Sequence, residues 1–255
     1  MTKEKEILLL KIKPINVTSM KKFMIMALAA LVCAGSAKAI EYVPQSGFTV
    51  QGLFGMNISN FRYTDTPTGG LTDPKAGFNV GIRGEYMLPS CYGVFVNLGV
   101  GYTMKGAKMD LLYGTNGQAC TVKYRPYYIE IPLHVGYRYN ILENLGVFAD
   151  FGPYFAIGVN GKERFNFDSD AVKDFSHKFF RNDNSSVGGI QRYDFGLGFR
   201  VGVEYANHHS LNFSFDWGLT DMYRDNYRRK FFQQAGYELG KMKNFNAGIT
   251  YGYRF

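Results

Sequence analysis

From Tyr127 to Tyr137 the chain alternates without a break. Tyr127, Ile129, Ile131, Leu133, Val135 and Tyr137 stand on one phase, and Tyr128, Glu130, Pro132, His134 and Gly136 on the other. A strand sends successive side chains to opposite faces, so this period of two sorts the stretch into an apolar and a mixed face. Tyr193 to Tyr205 repeats the pattern, with Tyr193, Phe195, Leu197, Phe199, Val201, Val203 and Tyr205 against Asp194, Gly196, Gly198, Arg200, Gly202 and Glu204. Weaker copies run over 48–58, 78–86, 94–104, 145–159, 211–219 and 245–255, which makes eight strands. No helical period is sustained after residue 40. The 22 Phe, 19 Tyr and 30 Gly agree, because aromatic residues favour pleated surfaces and glycine favours turns and close backbone approach.

The connections alternate in length. Short turns are expected around Pro89-Ser90, Glu143-Asn144 and Asn207-His208, and long loops over roughly 62–75, 106–118, 161–189 and 221–242. All short turns then fall at one end, and an even strand count brings both termini there too. The predicted fold is all-β, an eight-stranded antiparallel up-and-down transmembrane β-barrel of the bacterial outer membrane, with long loops outside.

Alternation alone does not say which face points in, since a lipocalin-like barrel would bury its apolar face. The polar face decides. It carries glycines and opposite charges in equal number: Arg83, Lys105, Arg138, Arg192, Arg200 and Arg254 against Glu85, Glu130, Asp150, Asp194, Glu204 and Asp216. Six cations and six anions suit a confined lumen in which each charge is neutralised by a neighbour. Tyrosines at the ends of the apolar faces suit the two interfacial girdles.

The formal charge of +8 points away from nucleic acid once it is located. Residues 1–39 hold seven Lys and two Glu, a net +5, which leaves +3 for the remainder. Met20-Lys21-Lys22, the apolar run 23–34 and Ala37-Lys38-Ala39 form a secretory signal peptide, with cleavage expected after Ala39 and Met20 a plausible true start. The expected organisation is therefore an N-terminal extension plus signal peptide over 1–39 and one barrel domain over 40–255. Cys91 and Cys120 fall at opposite barrel ends, beyond the roughly 4.4–6.8 Å Cα spacing of a disulfide, so no bridge is predicted.

The last strand ends in Tyr253 and Phe255, and a terminal aromatic on an alternating strand reads as an assembly signal for the barrel assembly machinery. Tyr128-Ile129-Glu130-Ile131-Pro132-Leu133, Tyr193-Asp194-Phe195-Gly196-Leu197-Gly198 with Gly202-Val203-Glu204-Tyr205, and Lys105-Gly106-Ala107-Lys108 resemble the PorT-like outer-membrane β-barrel proteins of Bacteroidetes. The resemblance spans about 45–255 and implies the barrel. The family's namesake is associated with protein secretion, but these motifs serve the barrel rather than that role.

Glu130 and His134 share the inward phase, yet they read as lumenal ion-pair members rather than an acid-base pair. His177 and His208-His209 read as solvent-exposed, and Asp168-Ser169-Asp170 lacks a completing calcium loop. No catalytic residue, cofactor or metal site is expected. Arg224, Arg228, Arg229 and Lys230, interleaved with Tyr223, Tyr227, Phe231 and Phe232, form the one concentrated basic patch and are expected to meet lipopolysaccharide phosphate. The expected function is a non-enzymatic barrel with a plugged lumen, structural or surface-interacting through its loops. Its expected surroundings are outer-membrane lipid, lipopolysaccharide and protein partners. The alternatives are a narrow pore for small solutes or a component of a secretion complex.

Overall fold

The structure, a computed structural model, describes residues 47–64, 72–89, 91, 93–113, 118–167, 173–180, 190–236 and 240–255. The expected signal peptide and Asp168-Ser169-Asp170 lie outside the described residues. The described residues form ten strands: β1 (Gly47–Thr64), β2 (Asp73–Met87), β3 (Val94–Met104), β4 (Ala107–Tyr113), β5 (Gln118–Leu142), β6 (Leu145–Phe167), β7 (Phe175–Lys178), β8 (Tyr193–Tyr205), β9 (His209–Gly218) and β10 (Lys241–Arg254). Among the described residues one helix, α1 (Asp225–Ala235), precedes β10.

Eight strands close a ring. The antiparallel order is β1, β2, β3, β5, β6, β8, β9 and β10, and β10 returns to β1 with Gln51 opposite Arg254 and Thr64 opposite Lys241. Each expected strand belongs to this ring. The three-residue turn from β8 to β9 places Ala206 and Asn207 at φ of 51° and 58°, a left-handed pair closed by His208 N–H donating to the Tyr205 carbonyl at 3.3 Å.

The sequence reading put loops over 106–118 and 161–189, where strand continues. β4 pairs with the outer part of β5 from Ala107 opposite Tyr124 to Tyr113 opposite Gln118. β6 runs on to Phe167 and pairs with β7. Together these make a four-stranded flap above the ring. On β5 and β6 charged residues enter the outward phase at Arg125 and Lys162, which marks the end of the lipid-facing stretch rather than of the backbone pairing. A bulge at Tyr127 and Tyr128 accommodates one extra residue of β6. Beyond it the inward phase of β6 passes from Asp150, Tyr154 and Ala156 to Gly161 and Glu163, all buried.

The faces are inside out relative to a water-soluble protein. Phe54 is 62% exposed, Met56 67% and Ile58 58%, while Asn57, Arg83 and Asn212 are 1–2% exposed. Such a continuous apolar outer surface is stable only against lipid.

Candidate functional site

The lumen is filled in layers. Nearest the turn end, two arginines and two glutamates form a closed quartet. Arg138 Nη2 donates to Glu85 Oε1 at 2.6 Å, and Arg138 Nε lies 3.1 Å from Glu204 Oε2. Arg254 Nη2 reaches Glu204 Oε2 at 2.9 Å and Glu85 Oε1 at 3.2 Å, and its Nη1 also bonds Glu204. The Arg138 guanidinium lies 5.1 Å from the Phe95 ring centre, and Phe95, Phe148 and Met87 pack together beside it. With two charges of each sign, the quartet is neutral and can be buried.

The middle layer joins Asp150 to Arg200 and His134. Arg200 Nε donates to Asp150 Oδ1 at 2.8 Å, its Nη2 donates to Asn97 Oδ1 at 2.8 Å, and His134 Nδ1 lies 2.6 Å from Asp150 Oδ1. Above it, Lys105 Nζ lies 2.8 Å from Glu130 Oε2 and 3.9 Å from Asp194 Oδ2. It also stands 4.6 Å from the Tyr154 ring centre. Tyr154 and Asn244 both donate to Asp194 Oδ2, at 3.1 and 2.8 Å.

Three residues depart from the expected pairing of six with six. Arg83 donates to the Gln51 amide oxygen at 2.7 Å, and Asp216 accepts from Asn246 Nδ2 at 2.8 Å, so both are held by neutral amides. They line a cavity of about 90 Å³ together with Glu130, His134 and Thr250. Arg192 leaves the lumen's charged layers altogether. It donates to the carbonyls of Gly158 at 3.0 Å and Phe180 at 3.3 Å and covers the Phe180 ring at 5.4 Å, because β8 begins one residue beyond it at the rim.

An apolar cap closes the loop end. Phe179 and Phe180, just after β7, fold back over the lumen and join Phe61, Tyr128, Tyr154, Ile190, Met222 and Met242. Phe180 meets Tyr128 edge-on at 5.6 Å, and Phe179 stacks on Phe61 at 6.2 Å. Sequence reasoning missed this plug. Tyr128, Tyr154, Phe95 and Phe148 lie on the inward phase of their strands, but an inward phase was read as polar.

The basic segment 224–230 forms the start of α1, which divides it. Arg224 is the N-cap, Arg228 pairs with Asp221, and Arg229 Nη2 donates to Asn226 at 2.6 Å. Only Arg229 and Lys230 of the four are exposed. Tyr223 and Tyr227 stack on each other at 5.6 Å, and Tyr223 packs against the cap. Burial raises both phenols above their ordinary pKa, so they stay protonated. Tyr253 and Phe255 stand on the outer face at the turn end, ring centres 5.5 Å apart, with Phe255 N–H donating to the Val50 carbonyl at 3.0 Å. Cys91 is exposed and Cys120 buried, and no disulfide joins them. Among the described residues no group of three His, Cys, Asp or Glu is placed to hold a metal.

A closed eight-stranded ring with an apolar outer belt and a charged interior defines an integral β-barrel of the bacterial outer membrane. The chain belongs to the family of outer membrane protein beta-barrel domains, whose model matches residues 36–224. Among solved structures it is similar to Ail, the attachment invasion locus protein of Yersinia pestis, with 13% identity, coverage of 83% of this chain and 100% of that one, and a TM-score of 0.37. Neisserial surface protein A gives 12% identity, 82% and 98% coverage and a TM-score of 0.38. OprG of Pseudomonas aeruginosa gives 12%, 82% and 96%, and 0.40. No curated protein matches the chain.

Proposed function

We propose that the protein is a non-enzymatic surface-interaction barrel that works from its loop end and whose lumen is closed to solutes. The observation that carries this reading is the succession of ion-paired and aromatic layers along the axis. It runs from the Arg138, Arg254, Glu85 and Glu204 quartet through Asp150 with Arg200 and Lys105 with Glu130 to the cap of Phe179 and Phe180. Open channels are built from about 16 strands, whereas an eight-stranded interior is filled by side chains. The loop end then offers the contact surface, in the segments 161–189 and 221–242, with Arg229 and Lys230 of α1 facing outward toward lipopolysaccharide or a protein partner. Phe255 at the end of β10 supports delivery by the barrel assembly machinery. The motifs around Tyr128, Tyr193 and Lys105 support a place among PorT-like proteins of Bacteroidetes.

The narrow-pore alternative draws on the cavity beside Arg83 and Asp216. Single-channel recording separates the two. The full chain, refolded into a planar bilayer after heat-dependent gel mobility has confirmed a folded barrel, is expected to give no stepwise current. Steady conductance steps would overturn the closed-lumen reading.

A further inference from the structure

The outward face of the flap gathers six cations that the sequence scatters over seventy residues. Lys108 on β4 stands directly opposite Lys123 on β5, and Lys123 stands opposite Arg164 on β6. One rung nearer the membrane, Arg125 stands opposite Lys162, and Lys162 opposite Lys178 on β7. Neighbouring strands lie about 4.8 Å apart, so each rung holds three positive groups side by side. Lys108, Lys162, Arg164 and Lys178 are exposed, while Val122 and Glu163, on the alternate phase, are buried.

Like charges placed directly across a sheet cost about 0.2–1 kcal/mol per pair, and here there are four such pairs. Folding gains nothing from that arrangement; a bound anion does. Among the described residues the acids near this face are Asp73, opposite Lys108, and two already engaged: Asp110, bonded by the Thr121 hydroxyl at 2.8 Å, and Asp174, bonded by Asn166 at 3.1 Å. Arg125 Nε, on the inner rung of this face, has no hydrogen-bond partner among the described residues.

The position of the face along the barrel axis selects the anion. On β5 the apolar belt ends at Ile129 and Tyr127, and the Tyr127 ring stacks on Tyr102 at 5.6 Å as part of the girdle. Arg125 and Lys123 follow on the same face, about 7 and 13 Å further along the strand. On β6 the belt ends at Ile157 and Val159, and Lys162 and Arg164 follow. The cations therefore begin where the hydrocarbon ends, at the depth of lipid headgroups. A soluble polyanion has no reason to prefer that depth.

We propose that the outward face of β4, β7 and the outer ends of β5 and β6 binds the phosphate groups of outer-leaflet lipopolysaccharide, with Lys123, Arg125, Lys162 and Arg164 at its centre. Arginine engages phosphate oxygens with two parallel N–H groups, and the lysines add point charge around them. The proposal rests on the loop end facing outward, as in the function proposed above, but not on a closed lumen, so conductance would leave it standing.

The full chain is refolded into lipopolysaccharide-free nanodiscs, and binding is measured for intact lipopolysaccharide, enzymatically dephosphorylated lipopolysaccharide and a soluble sulfated polysaccharide. The expected result is binding of the intact lipid that weakens with salt. Lys123→Gln with Arg164→Gln should lower its affinity about tenfold or more, the scale of losing one or two charge-assisted hydrogen bonds. Arg62→Gln, at an exposed position of β1 outside the flap, should change it less than about twofold, since exposed charges outside the site contribute little. The flap variant removes like-charge pairs, so its fold should survive, and heat-dependent gel mobility checks this. Equal binding of the dephosphorylated lipid, insensitivity to the flap variant, or tighter binding of the soluble polysaccharide would each overturn the proposal.

Discussion

Replacing Arg138 by Met tests whether charge balance holds the turn-end quartet together. In the folded barrel Arg138 contacts Glu85 at 2.6 Å and Glu204 at 3.1 Å with its side chain 8% exposed. Arg138→Met leaves Arg254 facing both carboxylates, a surplus negative charge in a space that admits little water. Removing one partner of a buried ion pair costs about 3–5 kcal/mol, and the lost guanidinium contact with Phe95 adds about 0.5–1 kcal/mol. Methionine recovers part of the packing, so the expected loss is about 3–5 kcal/mol.

The double variant Arg138→Met with Glu85→Gln restores one arginine to one glutamate, Arg254 to Glu204, which remain bonded at 2.9 Å. Its loss should fall well short of the sum of the single losses, with a coupling of about 2–3 kcal/mol. Urea unfolding from phosphatidylcholine vesicles reads this out through the fluorescence of Trp217, the single tryptophan of the chain, on β9. If Arg138→Met lies within about 1 kcal/mol of the parent, or the double variant is no better than additive, charge balance is not what holds this layer.

Two further outcomes follow from the cap and the ends of the barrel. A Cβ added at Gly158 would overlap the Phe180 ring, so Gly158→Ala should displace the cap at a cost of about 1–3 kcal/mol and speed trypsin cleavage at Lys178; an unchanged cleavage rate would count against the packed cap. Cys91 is exposed and Cys120 buried, so a maleimide should modify the first in the folded barrel and the second only after unfolding, and mass spectrometry of the labelled peptides distinguishes them.

The alternation seen in Tyr127 to Tyr137, Tyr193 to Tyr205 and six weaker stretches located the eight ring strands and sorted each into two faces, because side-chain direction in a strand is a local property with a period of two, and the balanced charges of one face then assigned it to the lumen. Arg138, Arg200, Arg254 and Lys105 were legible as lumenal on that basis, as were Glu85, Asp150 and Glu204. Whom each one meets was not legible. Arg254 bonds Glu85 across 169 positions of sequence, and Arg83 finds Gln51 instead of an acid, because partners in a barrel are set by register and strand stagger. The same cause hid Tyr128, Tyr154 and Phe180 as a plug and divided the basic run at 224–230 around a helix. It also hid the flap face, since Lys108, Lys123, Arg164 and Lys178 become neighbours only when four strands pair in one register.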